Sequence, residues 1–269
     1  MPSRWWVPVN GIRPEFVKLH HIHGAVTRWF DDTTEDHEAN EKPYAISPLG
    51  AGPGDSVGIE IATLTDEAAR RVVEHTAPGQ QIRLGNQTRH LGRARELRRE
   101  SWNDLLSHGE DRQWTLEFVT PTTFRSGNRS SPLPLPATIV QGLQLAWSAA
   151  STMPAPATAA DVSALWVSDL DLRSEVLTLP IRRRDGQADR PVVVSGCLGS
   201  LTMRCDDPEV AARLGPLLRL AAYTGVGSFT RKGLGVTRVT ARRAPPRHSV
   251  APRTPAPHDH HNADHGRAG

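Results

Sequence analysis

Cysteine is nearly absent: the 269 residues hold only Cys197 and Cys205. Two thiols exclude a disulfide framework and a four-cysteine zinc site, so a reduced, cytoplasmic setting is the simplest expectation. Long apolar runs are missing too. No stretch approaches the ~18 apolar residues that a membrane-crossing helix needs. The N-terminus, MPSRWWVPVNG, lacks the apolar core of a signal peptide, and no membrane partner is expected. A dinucleotide fingerprint is also lacking. That motif, G-x-G-x-x-G, follows a strand and opens a helix. The glycine-rich stretch of this chain follows a helical pattern and precedes a strand pattern, and its spacing differs. No cofactor is expected.

What is present is length enough for one large or two ordinary domains, and a hydrophobic content of 38% that supports real cores. The formal charge is only +3, but the pI is about 9.2. Positive charge is clustered at Arg89, Arg93, Arg95, Arg98 and Arg99, and again at Arg182 to Arg184. Charge runs are ordinarily solvated faces. Beside a cationic glycine loop they point to a nucleic-acid partner. That loop, TGVGSFTRKGLGV, carries Gly225, Gly227, Gly233 and Gly235 in the pattern G-x-G-x5-G-x-G, with Arg231 and Lys232 between them. Glycine permits positive φ and close approach of the backbone. Clustered N–H groups beside cations suit an anion. A plain helix-to-strand turn accounts for one or two of these glycines, not four.

The order of patterns is informative. Arg4–Val9 reads as a strand and Phe16–Phe30 as a helix with Phe16, Leu19, His20, His23, Val26 and Phe30 at helical spacing. Tyr44–Leu49 and Val57–Ala62 read as strands, Asp66–His75 as a helix, and Gln80–Arg99 as extended chain. The same order then recurs. Trp114–Phe124 is a strand, Ser126–Pro136 a loop, and Ala137–Ala149 a helix. Asp161–Ser168 reads as a short extra helix. Leu172–Ile181 and Pro191–Arg204 are strands, and Val236–Arg243 is the last strand. The helix after Asp207-Pro208 has an N-terminal cap, and Gly215-Pro216 is expected to kink or split it. The expected fold is α+β: two tandem ferredoxin-like (RRM-like) domains, each an antiparallel sheet with helices on one face. The expected divisions are 1–112, 113–243 and a Pro/His-rich tail, 244–269, whose composition predicts disorder.

FVTPTTFRSG, the following PLPLP, and above all LAAYTGVGSFTRKGLGV resemble the CRISPR-associated endoribonucleases of the RAMP superfamily that process precursor CRISPR RNA. In the N-terminal half, DHEANEKPYAISPLG resembles the family segment in which a histidine precedes a Pro-aromatic-x-x-Ser-Pro strand. The resemblance covers Trp5 to about Arg243. It implies metal-independent cleavage of repeat RNA, with a 2′,3′-cyclic phosphate on one product and a 5′-hydroxyl on the other. It implies CRISPR repeat RNA as partner, with other subunits of an interference complex as further candidates. A non-catalytic RNA-binding subunit of the same superfamily is the alternative.

Such cleavage needs a base for the 2′-hydroxyl, an acid for the leaving oxygen, and positive charge for the transition state. His37 matches the family's histidine; from its polar neighbours alone it reads as an exposed loop histidine. Lys42 is near in sequence and can supply charge. His23 is the candidate second group, with helix packing as the competing reading. Gly225, Gly227, Gly233 and Gly235 carry over to the family's glycine loop. In it Arg231 and Lys232 are expected on phosphates and Phe229 on a base. Tyr44 is expected in packing or base stacking. No metal site is expected: a zinc set of His20, His23 and His37 lacks a further well-placed ligand, and the histidines of the tail lack a packed surrounding.

Overall fold

The computed structural model describes residues 1–31, 42–107, 109–127, 129–181 and 190–243. His37, Arg182 to Arg184 and the tail lie outside these residues.

The chain opens with β1 (Ser3–Pro8), whose Trp5 and Val7 face inward. A helical turn at Pro14–Phe16 follows, then α1 (Leu19–Val26) and a 3-10 turn at Thr27–Trp29. The expected continuous helix from Phe16 is thus interrupted. Val17 and Lys18 are extended, so the helical period restarts at Leu19. Phe16 is exposed, and Ile22 and Val26 form the buried face instead.

Strands β2 (Tyr44–Ala51) and β3 (Val57–Thr63) pair antiparallel, and β3 also pairs β1 with Trp5 opposite Ile61 and Val7 opposite Ile59. The helix α2 (Asp66–His75) is capped by Thr65, whose hydroxyl accepts from the Ala68 amide at 3.2 Å. The arginine-rich extended segment is divided. A hairpin of β4 (Gln81–Leu84) and β5 (Gln87–His90) turns at Gly85, and only β6 (Arg95–Arg99) joins the main sheet. The sheet order is β2-β3-β1-β6. Its core is Trp5, Val7, Ile46, Ile59 and Ile61 against Ile22, Val26 and Val72 of the helices.

After a short helix, α3 (Trp102–Leu106), the topology repeats. Strand β7 (Asp111–Thr122) leads to a small hairpin, β8 (Phe124–Ser126) and β9 (Arg129–Ser131), in what reads from sequence as a plain loop. Helix α4 (Pro136–Ala150) precedes two long strands, β10 (Leu165–Ile181) and β11 (Arg190–Cys205). The expected extra helix is only a 3-10 turn, Ala160–Ala164. Trp166 and Val167 already belong to β10, where Arg204 of β11 lies 5.8 Å over the Trp166 ring. Helix α5 (Pro208–Thr224) runs through Pro216 without a break. Burial of Leu214, Leu217, Leu218 and Ala221 in the second core outweighs the one backbone bond that proline forgoes. The closing strand is β12 (Thr237–Arg243), and the second sheet has the order β10-β11-β7-β12.

Both sheets are antiparallel with the same strand order, first strand flanked by third and fourth. This is the tandem ferredoxin-like arrangement. The halves meet through α5. Tyr223 is buried and its hydroxyl donates to Glu100 Oε2 at 2.6 Å. Arg98 lies 5.9 Å over its ring. Among the described residues no helix is long and apolar enough to cross a membrane.

Candidate active site

The glycine loop joins α5 to β12. Its four glycines have positive φ, as does Phe229 at 67°. At three of them, Gly225, Gly227 and Gly235, a side chain has no room. A Cβ on Gly235 would lie 2.1 Å from the Val226 carbonyl, and one on Gly227 would lie 2.4 Å from that of Thr123. The loop closes on itself and on the TPT turn. Val226 N–H donates to Gly235 (2.9 Å), Ser228 N–H to Thr123 (2.8 Å), and Gly235 N–H to Pro121 (3.1 Å). Many loop amides thus hold the loop's own shape, so anion binding here falls more heavily on side chains than the glycine pattern implies.

Those side chains converge on Phe229. Lys232 Nζ is 5.4 Å from the ring centroid and the Arg125 guanidinium 5.9 Å, both within cation–π range. Burial, with Arg231 beside it, lowers the pKa of Lys232. Arg125, on β8, is a cation that sequence reasoning passed over; its position in FVTPTTFRSG is the only signal.

The loop touches the first half at α1. His23 Nδ1 lies 2.9 Å from the Arg231 carbonyl and 3.1 Å from Thr27 Oγ1. A carbonyl only accepts, so Nδ1 carries the proton and the lone pair is on Nε2. Burial pushes the His23 pKa down to about 4, against a raising effect of the Arg231 carbonyl; Lys232, Arg231 and Lys42 lower it further. Nearby, Leu19 of α1 joins Leu234, Leu179 and Val194 in a small apolar cluster. His20 is exposed and its ring meets that of His21 edge-on, 4.3 Å away. Of the three histidines on α1, His23 is the one whose ring meets the loop.

Lys42 is not a surface cation. Its ammonium forms an ion pair with Asp31, and both side chains are buried, 4% and 7% exposed. Tyr44 is buried too, stacked on Phe30 with centroids 4.0 Å apart. Its hydroxyl donates to Thr27 Oγ1 at 3.3 Å, and burial raises its pKa to about 12. Tyr44 therefore packs inside the protein and presents no face to a base. Lys42, Tyr44, Thr224, Gly225, Gly227 and Thr230 are among the residues lining a cavity of about 90 Å³ between the halves.

Residues 116–237 match the sequence model of the family described as CRISPR-associated endoribonuclease Cas6. The match runs from β7 through the glycine loop to the start of β12. Two Cas6 structures, each a product complex, superpose on the chain. One is 21% identical with a TM-score of 0.69, covering 90% of this chain and 100% of its own. The other is 25% identical with a TM-score of 0.67, covering 89% and 100%. The matched segment is similar to Cas6, and the superposed structures share the fold of the chain over about nine-tenths of its length. Cas6 from Thermus thermophilus gives 24% identity and a TM-score of 0.64 over 89% of this chain and 98% of that one. No curated protein matches the chain by sequence. The matched segment contains every loop residue singled out above, from Gly225 to Gly235. His23 and Lys42 lie N-terminal to it and reach the loop region through the fold.

Proposed function

We propose that the chain is a metal-independent endoribonuclease that cuts CRISPR repeat RNA. The 2′-hydroxyl attacks the adjacent phosphorus, the bond to the 5′ oxygen breaks, and the products are a 2′,3′-cyclic phosphate and a 5′-hydroxyl. The observation that carries this reading is the junction of His23 with a cationic glycine loop that lies inside the segment matching the Cas6 model. His23 offers an unprotonated Nε2 beside Arg231 and Lys232. His37, by its sequence motif, is the partner for the second proton transfer. Arg231 and Lys232 neutralise phosphate charge, and Phe229 with Gly225, Gly227, Gly233 and Gly235 shapes the contact. Lys42, neutralised in its pair with Asp31, helps to keep His23 unprotonated. A histidine with a pKa of about 4 is neutral at pH 7 and ready to accept a proton. An RNA phosphate drawn close raises that pKa and stabilises the imidazolium as it forms.

The test is cleavage of the repeat RNAs of the source genome by the purified protein in EDTA. Cutting is expected to persist and to cease with a 2′-deoxy nucleotide at the cleavage position. His37→Ala is expected to bind RNA nearly as well and to cut about 10²- to 10⁴-fold more slowly, the usual contribution of one proton-transfer group. RNA binding with no cleavage by the wild-type protein would favour a non-catalytic RAMP subunit.

A further inference from the structure

Helix α1 ends at Val26 and tightens into the 3-10 turn of Thr27 to Trp29. Thr27 closes the α-helical turn, its N–H on the His23 carbonyl, and this four-residue spacing sets its hydroxyl at the His23 ring. Thr27 is buried, and its oxygen receives two approaches: Tyr44 O–H from β2 at 3.3 Å and His23 Nδ1 at 3.1 Å. The Arg231 carbonyl holds the same nitrogen from the opposite half of the molecule. Tyr44 is itself immobilised by its stack on Phe30.

We propose that Thr27 and Tyr44 are positioning residues that fix the ring plane and tautomer of His23. The inference rests on the catalytic reading of His23 given above. The argument is geometric. Arg231 is a loop residue, and one backbone acceptor leaves the imidazole free to pivot about a single bond. A second acceptor from its own helix turns the shared Nδ1 hydrogen into a three-centre contact and stops the pivot. Tyr44 donates to that second acceptor, so the Thr27 hydrogen is turned away and a lone pair faces the ring. Nε2 is thereby kept unprotonated and aimed in one direction. The charged groups facing His23 are Arg231 and Lys232 from the loop and Lys42 two residues before β2, with Asp31 paired to Lys42. Neither Thr27 nor Tyr44 is expected to touch RNA.

The experiment uses the full chain with Thr27→Val, Thr27→Ser and Tyr44→Phe. Each keeps most of the packing, and Tyr44→Phe keeps the stack on Phe30. Two quantities are measured: single-turnover cleavage of a repeat RNA that the wild-type protein cuts, and the ¹⁵N shifts of the His23 ring, assigned with His23→Gln. Wild-type protein is expected to show Nδ1–H alone. Tyr44→Phe frees the Thr27 hydroxyl to donate to Nδ1 and is expected to show mixed tautomers, whereas Thr27→Val keeps Nδ1–H on the Arg231 carbonyl and loses the second contact. Both are expected to cut about 10- to 10²-fold more slowly through misaligned geometry, at unchanged RNA affinity. Thr27→Ser is expected to cut at the wild-type rate. An unmixed Nδ1–H tautomer in Tyr44→Phe, or full-rate cleavage by Thr27→Val, overturns the proposal. Full-rate cleavage by His23→Gln overturns the catalytic reading alone, and the tautomer measurement then still decides the positioning.

Discussion

At the scale of residues, His23 links protonation to folding. Its folded pKa, about 4, lies below the ordinary value of 6.5. The unfolded chain therefore binds this proton more readily. The neutral ring contributes stability that is fully present above pH 6.5 and is lost as pH falls toward 4. The contribution is on the order of 2 kcal/mol once partial solvent exposure is allowed for. Urea unfolding of wild type and His23→Gln across this range is expected to converge in slope except between pH 6.5 and 4. Parallel curves throughout that window would rule the linkage out. Gly235 makes a sharper case. With φ at 69° and a carbonyl 2.1 Å from any Cβ, Gly235→Ala is expected to cost at least about 1–3 kcal/mol from backbone strain alone, read as a drop in unfolding midpoint. The glycines, the cap at Asp207 and the cations of the loop were legible in the sequence, because each follows from local backbone chemistry. The burial of Lys42 was not. Its partner Asp31 sits before the intervening acidic segment, and nothing local distinguishes that carboxylate from its neighbours.

At the scale of elements, the start of β2 is fastened to the end of the first helical region twice in succession, by the Phe30–Tyr44 stack and by the Asp31–Lys42 pair. A buried pair loses more from removal of one partner than from removal of both. Lys42→Met alone is expected to destabilise the protein by about 3–5 kcal/mol, and Asp31→Leu with Lys42→Met to recover most of that loss. If the double variant is as unstable as the single one, the pair is not what holds these elements. Pattern reading found the principal strands and helices because period and turn residues are local. It placed the start of α1 too early, through counting Phe16 into the apolar stripe. It also expected a kink or split of α5 at Gly215-Pro216, where burial in the second core prevails over propensity. The β8–β9 hairpin escaped because strands of three residues carry no readable period.

At the scale of the molecule, binding is expected to be shared by cations from separate elements, Arg125 on β8 and Arg231 and Lys232 on the loop. Replacing all three by alanine is expected to weaken RNA binding and flatten its salt dependence by about 0.7 per lost contact on a single strand. An unchanged slope would exclude direct phosphate contact. The repeated strand order was visible in the sequence because two similar folds impose the same pattern twice. The docking of α1 on the glycine loop was not, since His23 and Arg231 stand 208 positions apart. That separation bears on how the protein matures. Contacts so distant along the chain form late, after each half has collapsed on its own core. During refolding from denaturant, far-UV circular dichroism is therefore expected to recover before cleavage does. A newly made chain would thus build the helices and sheets of both halves before the glycine loop, formed late in the sequence, closes on α1, formed early.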